Sequence, residues 1–192
     1  MIKRISKAVV FLFAGLIILS PLLLNGAQKK GVKKMKTLIV YYSYTGNTEL
    51  VSKTMATELK ADVLKIEDAQ TPSKFKAYIK GAFAARKGES WPIKTVNIPL
   101  KDYDRVFIGG PIWWGRVAPE LNGYVEQADL KDKSVILFVT MGGSEPAEAI
   151  KALTASIEAK GGKVESSFSI KTGGTKKEEL INKAKETAKL YQ

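Results

Sequence analysis

The chain has 192 residues, enough for one domain of roughly 150 residues and an additional segment. It contains no Cys and no His, which excludes disulfides, thiolate nucleophiles, zinc sites built from Cys or His, and triads that use an imidazole. Of its 31 basic residues, eight lie in residues 1–36, which hold no acidic residue, so the net charge of +12 belongs mostly to the leader and does not indicate nucleic-acid binding.

Residues 1–34 have the composition of a signal peptide or membrane anchor followed by a Lys-rich linker. A short basic start, 1–7, precedes an almost unbroken apolar run, 8–24, which is longer than a usual signal core and slightly short for a span. The lysines after the run favour a cytoplasmic C-terminal side, whereas the short charged start favours export. We expect a membrane-associated or exported protein, and the two charge patterns favour opposite sides of the membrane. If Met35 is the true start, the protein is cytoplasmic.

From residue 35 onward, short apolar runs alternate with helical periodicity, which is typical of a parallel sheet covered on both faces. The predicted strands are residues 37–42, 62–67, 105–110, 134–140 and 164–171. The predicted helices are residues 49–60, 72–83, 119–127, 146–160 and 176–191. The last strand alternates polar and apolar residues, which indicates a sheet edge. The pattern predicts one α/β domain over residues 35–192, a doubly wound five-stranded parallel sheet.

In such a sheet, ligands bind beyond the C-terminal ends of the strands. The loop after the first strand leads directly into a helix and consists of Ser43, Tyr44, Thr45, Gly46, Asn47 and Thr48. Free N–H groups and the positive end of a helix dipole favour a phosphate there, and Gly46 permits a tight turn. The loop is neither a Walker loop nor a G-x-G-x-x-G fingerprint. The alternative interpretation is a hydroxyl-rich helix cap.

Two adjacent tryptophans follow the third predicted strand. The loop contains Pro111, Ile112, Trp113, Trp114 and Gly115. Each Trp ring needs a large apolar contact, which a flat aromatic ligand at the strand end would supply. Because neighbouring side chains face different ways, we expect one ring to stack on a ligand and the other to pack. The alternative is that both rings belong to the core.

The loop after the fourth predicted strand offers close backbone approach to a ligand, through Thr140, Met141, Gly142 and Gly143. The three loops together offer phosphate donors, a flat aromatic surface and a backbone edge. This combination predicts a phosphate-bearing planar heterocycle, and flavin mononucleotide (FMN) is the candidate. No metal site and no catalytic side chain is indicated by the sequence.

These loops resemble those of the flavodoxin family. Ser43-x-Thr45-Gly46-Asn47-Thr48 matches the family's phosphate signature position for position, and residues 110–115 resemble the P-I-W-W-G variant of its ring-covering loop. Residues 140–144 resemble the third flavin loop of that branch. The resemblance covers residues 35–192, without the insertion of long-chain members, and implies the strand order 2-1-3-4-5.

The resemblance also implies a role for each loop. The phosphate signature would bind the FMN phosphate, Trp113 or Trp114 would flank the isoalloxazine, and the backbone around 141–143 would meet its pyrimidine edge. Two features depart from the family's carriers: the third loop has no aromatic residue, and the domain is mildly basic.

Two functions therefore compete. The first is a one-electron carrier that docks to redox partner proteins at a membrane. The second is an FMN-dependent oxidoreductase acting on NAD(P)H or quinone, which the absence of His does not exclude because hydride transfer to a flavin needs no protein acid or base. A third hypothesis is a binding module that holds no flavin, which the intact phosphate loop disfavours.

Overall fold

The computed structural model describes residues 35–69, 87–96, 98–143 and 145–192. The predicted leader, 1–34, and the predicted helix over 72–83 lie outside the described residues. Within these described ranges, no helix is both long enough and apolar enough to span a bilayer.

The described residues form an α/β domain whose elements follow the predicted alternation. In chain order they are β1 Thr37–Tyr41, α1 Asn47–Leu59, β2 Asp62–Lys65, a 3-10 turn Leu100–Asp102, β3 Arg105–Trp113, β4 Arg116–Val117, α2 Pro119–Gln127, β5 Ser134–Met141, α3 Ala147–Ala159, β6 Lys163–Lys171 and α4 Lys177–Lys189. The parallel sheet has the order β2-β1-β3-β5-β6, which confirms the predicted topology. The short strand β4 pairs antiparallel with the end of β3.

The three central strands are apolar at nearly every position because each is buried on both faces. Successive side chains point to opposite faces, so Val40 and Ile108 join the core that contains α2 and α3, whereas Ile39 and Phe107 join the core that contains α1 and α4. Strand β6 lies at the edge and alternates between exposed and partly buried residues over most of its length, as its sequence predicts.

The segment after residue 110 differs from the predicted loop. Strand β3 continues to Trp113 and returns through β4, with Ile112 opposite Val117 and Trp113 opposite Arg116. The predicted third strand ends at Gly110, and proline at the next position cannot donate to a ladder. Here Pro111 instead accepts: its carbonyl receives the N–H of Ala118 at 3.0 Å. The predicted loop is therefore a β-hairpin.

Candidate functional site

The phosphate-signature loop ends in a left-handed glycine at the start of helix α1. Gly46 has a φ of 94° and a ψ of −13°, and its N–H donates to the Ser43 Oγ at 3.2 Å. Thr45, Gly46 and Asn47 are exposed. Since the first N–H groups of any helix have no partner within the helix, this exposed turn is suited to bind an anion.

The first and third loops are joined by a buried hydrogen bond. The hydroxyls of Thr48 and Thr140 lie 2.7 Å apart, and each residue is 2% exposed. The Ser52 hydroxyl donates to the Thr48 carbonyl at 2.8 Å. The structure thus brings these two predicted site residues together as a link between loops, and a direct contact of either hydroxyl with a ligand stays a prediction.

The two tryptophans have different environments. The Trp113 ring packs edge-to-face against Tyr42 and Tyr44, with ring centroids 6.0 Å and 5.7 Å away. Trp114 is 70% exposed. It shares the hairpin turn with Gly115, and both have positive φ, 51° and 78°, as in a type I′ turn. A left-handed backbone costs a residue with a Cβ about 1–2 kcal/mol, and such strain is often retained at functional sites.

The third loop has open space and a neighbour that the sequence analysis missed. A Cβ built at Gly142 or Gly143 would meet no described atom within 4 Å, whereas one at Gly173 would lie 2.2 Å from the Gly142 carbonyl oxygen. The Thr172 N–H donates to the Met141 carbonyl at 2.8 Å. The loop 172–175 after β6 therefore supports the third loop, and its Thr-Gly-Gly-Thr sequence at a strand end is the signal that could have revealed it.

Two lysines from outside the phosphate loop lie beside it. A depression of about 520 Å³ adjoins the loop and also contains Lys53 of α1 and Lys177 at the start of α4. Glu49 lies in the first turn of α1. Hydrogen bonds from Lys53 and Lys65 lower the pKa of Glu49 to about 2, so its charge is paired rather than free to repel an anion.

The sequence model of the flavodoxin family, described as "Flavodoxin", matches residues 36–180. The chain belongs to the flavodoxin family. This membership agrees with the phosphate signature and with the order of the sheet.

Curated relatives of this flavodoxin-family chain match about half of it. The NAD(P)H dehydrogenase (quinone) of Cupriavidus metallidurans is 26% identical over 93 residues, which are 48% of this chain and 46% of that protein. The NAD(P)H dehydrogenase (quinone) 3 of Rhizobium meliloti is 29% identical over 92 residues, 48% of this chain and 43% of that protein. The chain thus spans less than half the length of these relatives.

Solved structures share the fold. A candidate flavoprotein of Bacteroides uniformis has 24% identity and a TM-score of 0.67, over 81% of this chain and 98% of that one. A flavoprotein of Lactobacillus acidophilus, solved in complex with FMN, has 22% identity and a TM-score of 0.61, over 70% and 93% of the two chains. At these identities the similarity establishes the flavodoxin-like fold.

One feature of the domain escaped the sequence analysis altogether. Glu120, in the first turn of α2, is buried, and its carboxyl lies against Asp68 and the hydroxyl of Tyr42. Burial, opposed by a backbone hydrogen bond and reinforced by the charge of Asp68, raises the pKa of Glu120 to about 8. A single Glu at a helix start commonly interacts with the helix dipole at the surface, so its burial in the core could not be expected from the sequence.

Proposed function

We propose that this domain binds FMN where the loops after β1, β3 and β5 meet and transfers electrons through it. The observation that carries the proposal is the meeting of the three loops. Tyr44 of the first loop contacts Trp113 of the second, and Thr48 of the first bonds Thr140 of the third. In a parallel sheet of this topology, ligands bind at this edge.

The residues present suit the parts of FMN. The exposed turn around Gly46 would hold the phosphate with backbone N–H groups at the start of α1. The exposed ring of Trp114 would supply an apolar surface for the isoalloxazine, and the open backbone at Gly142 and Gly143 would accept its polar edge. The bound flavin supplies one- and two-electron chemistry, while the protein orients it and sets its electrostatic environment.

We favour a carrier that exchanges electrons with partner proteins. The Trp114 ring and the two glycines of the third loop are exposed, so a flavin held between them would be open to a docking protein. A carrier needs such an open edge because its flavin exchanges electrons with a protein docked against it. It therefore requires no substrate pocket.

The second candidate is an FMN-dependent oxidoreductase that uses NAD(P)H or quinone. Two observations favour it: the curated relatives named above are NAD(P)H dehydrogenases (quinone), and the third loop offers no aromatic side chain to cover the flavin. An uncovered ring face leaves room for a planar substrate to stack.

The first test is retention of FMN by the purified full chain through gel filtration, read from its visible absorption. In Gly46→Ala a Cβ in the left-handed turn costs about 1–2 kcal/mol, which the flavin-free loop relieves by changing its turn. FMN binding must restore the strained turn, so FMN affinity should fall roughly tenfold. Gly88→Ala is the matched control, because Gly88 also has a positive φ and open surroundings but lies outside the three loops. An absence of retained FMN in the unmodified protein would refute the proposal.

Turnover separates the two candidates. Steady-state oxidation of NAD(P)H by a soluble quinone, dependent on bound FMN, would establish the oxidoreductase. FMN that is reduced in one-electron steps, with no such turnover, would support the carrier.

A further inference from the structure

An acidic pair, Asp68 and Glu120, lies against Tyr42 and is not among the residues proposed to bind FMN. Glu120 is 4% exposed, and Asp68, three residues beyond the end of β2, is partly buried. Within the described residues, one oxygen of each carboxyl, Glu120 Oε2 and Asp68 Oδ1, has no hydrogen-bond donor. Their two carboxyls nevertheless lie within hydrogen-bonding reach of each other.

Two carboxyls in such contact hold a proton between them. An oxygen that faces only another acceptor is satisfied when one of the two groups is protonated. Two like charges in a buried site also disfavour each other, so the pair titrates as a unit rather than as two separate acids. Burial raises the pKa of Asp68 as well, opposed by hydrogen bonds with Glu120 and Tyr42.

The described groups that contribute to the titration of the pair are one another and Tyr42. Tyr42, directly after β1, hydrogen-bonds Glu120 and has its own pKa raised, first by burial and then by the charges of Glu120 and Asp68. Tyr44 adds a weak influence on Tyr42 from the phosphate loop. Within the described residues, no Lys or Arg contributes to the titration of Glu120 or Asp68. With one shared proton the pair still carries one negative charge, which no described cation offsets.

Tyr42 connects this pair to the proposed flavin loops. Its hydroxyl contacts Glu120, its ring contacts Trp113, and it immediately precedes the phosphate signature. Helix α2, which carries Glu120, begins directly after the hairpin formed by β3 and β4. Negative charge that enters the site on reduction will therefore oppose ionisation of the pair.

We propose that the Asp68–Glu120 pair is the proton-exchange group of the redox site, binding one proton from solvent when electrons enter and releasing it when they leave. The inference rests on the proposed function. Reduction of bound FMN by two electrons from an added reductant consumes one proton at the flavin itself. The pair, when ionised beforehand, takes up one further proton and forms one O–H bond. Asp68 is the partly exposed member through which the proton reaches Glu120.

The experiment uses the full chain loaded with FMN and measures the two-electron midpoint potential as a function of pH. In the unmodified protein, the slope should correspond to one proton per two electrons below about pH 8 and rise toward two just above it. Glu120→Gln removes the titrating group at similar size and should keep one proton per two electrons throughout. Glu126→Gln, the same change at an exposed position of α2, should behave as the unmodified protein.

The outcomes are distinguishable. If FMN is bound but the unmodified protein and Glu120→Gln have the same pH dependence, the inference is wrong and the proposed function stands. If the unmodified protein retains no FMN, both the inference and the proposed function are wrong. Should Glu120→Gln fail to fold, NMR of carboxyl-labelled Glu in the unmodified chain replaces it and must show one carboxyl titrating near pH 8.

Discussion

The buried Glu120 makes the stability of the domain fall as the pH rises. Its pKa is raised from 4.5 to about 8, so between these values the folded state holds a proton that the unfolded state has released. Since the folded state binds more protons, the free energy of unfolding decreases with pH across this window. Below it both states are protonated, and above it both are ionised.

The size of the effect follows from the shift. Each pKa unit corresponds to about 1.4 kcal/mol, so the full shift corresponds to at most about 5 kcal/mol. Relaxation around the charge and sharing of the proton with Asp68 reduce this figure, and we expect a loss of about 2–5 kcal/mol between about pH 5 and about pH 9. Glu120→Gln cannot ionise at this position, so its free energy of unfolding should decrease much less between the two pH values.

The assay is urea unfolding of the compact unit Lys34–Gln192 at both pH values, followed by fluorescence. Glu126→Gln is the control and should lose as much stability as the unmodified unit. Equal losses in Glu120→Gln and in the unmodified unit would refute the assignment of this pH dependence to Glu120.

Three further predictions concern the loops and the leader. Trp114→Asn should stabilise the flavin-free domain by about 1 kcal/mol, since Asn tolerates the left-handed turn, and should weaken FMN binding; unchanged affinity would exclude the ring from the site. Gly173→Ala should destabilise the domain by about 1–3 kcal/mol in urea unfolding because its Cβ meets the Gly142 carbonyl, whereas Gly143→Ala, in open space, should cost much less. The full chain should sediment with membranes or undergo cleavage within residues 1–34, as N-terminal sequencing of both fractions will show; an uncleaved soluble chain would contradict this.

The sequence was sufficient for the sheet because the buried strands are near-continuous apolar runs and the helices keep their periodicity. It also located the three loops, because strand ends in this topology share one edge. It could not predict the hairpin after Gly110. There the Pro111 carbonyl accepts the N–H of Ala118, although proline has no N–H of its own to donate. Nor could the sequence predict the pairing of Glu120 with Asp68, because burial of a carboxyl depends on which surfaces pack together.

The hydrogen bond between the hydroxyls of Thr48 and Thr140 has a consequence for the order of folding. It joins residues 92 positions apart in the chain, one at the start of α1 and the other near the end of β5. Contacts of such separation form only after the intervening chain has paid the entropy of loop closure. In this sheet β3 lies between β1 and β5, so all three strands must be aligned before the two hydroxyls can meet. We therefore expect the ligand edge to be completed late, and FMN to bind a sheet that has already assembled.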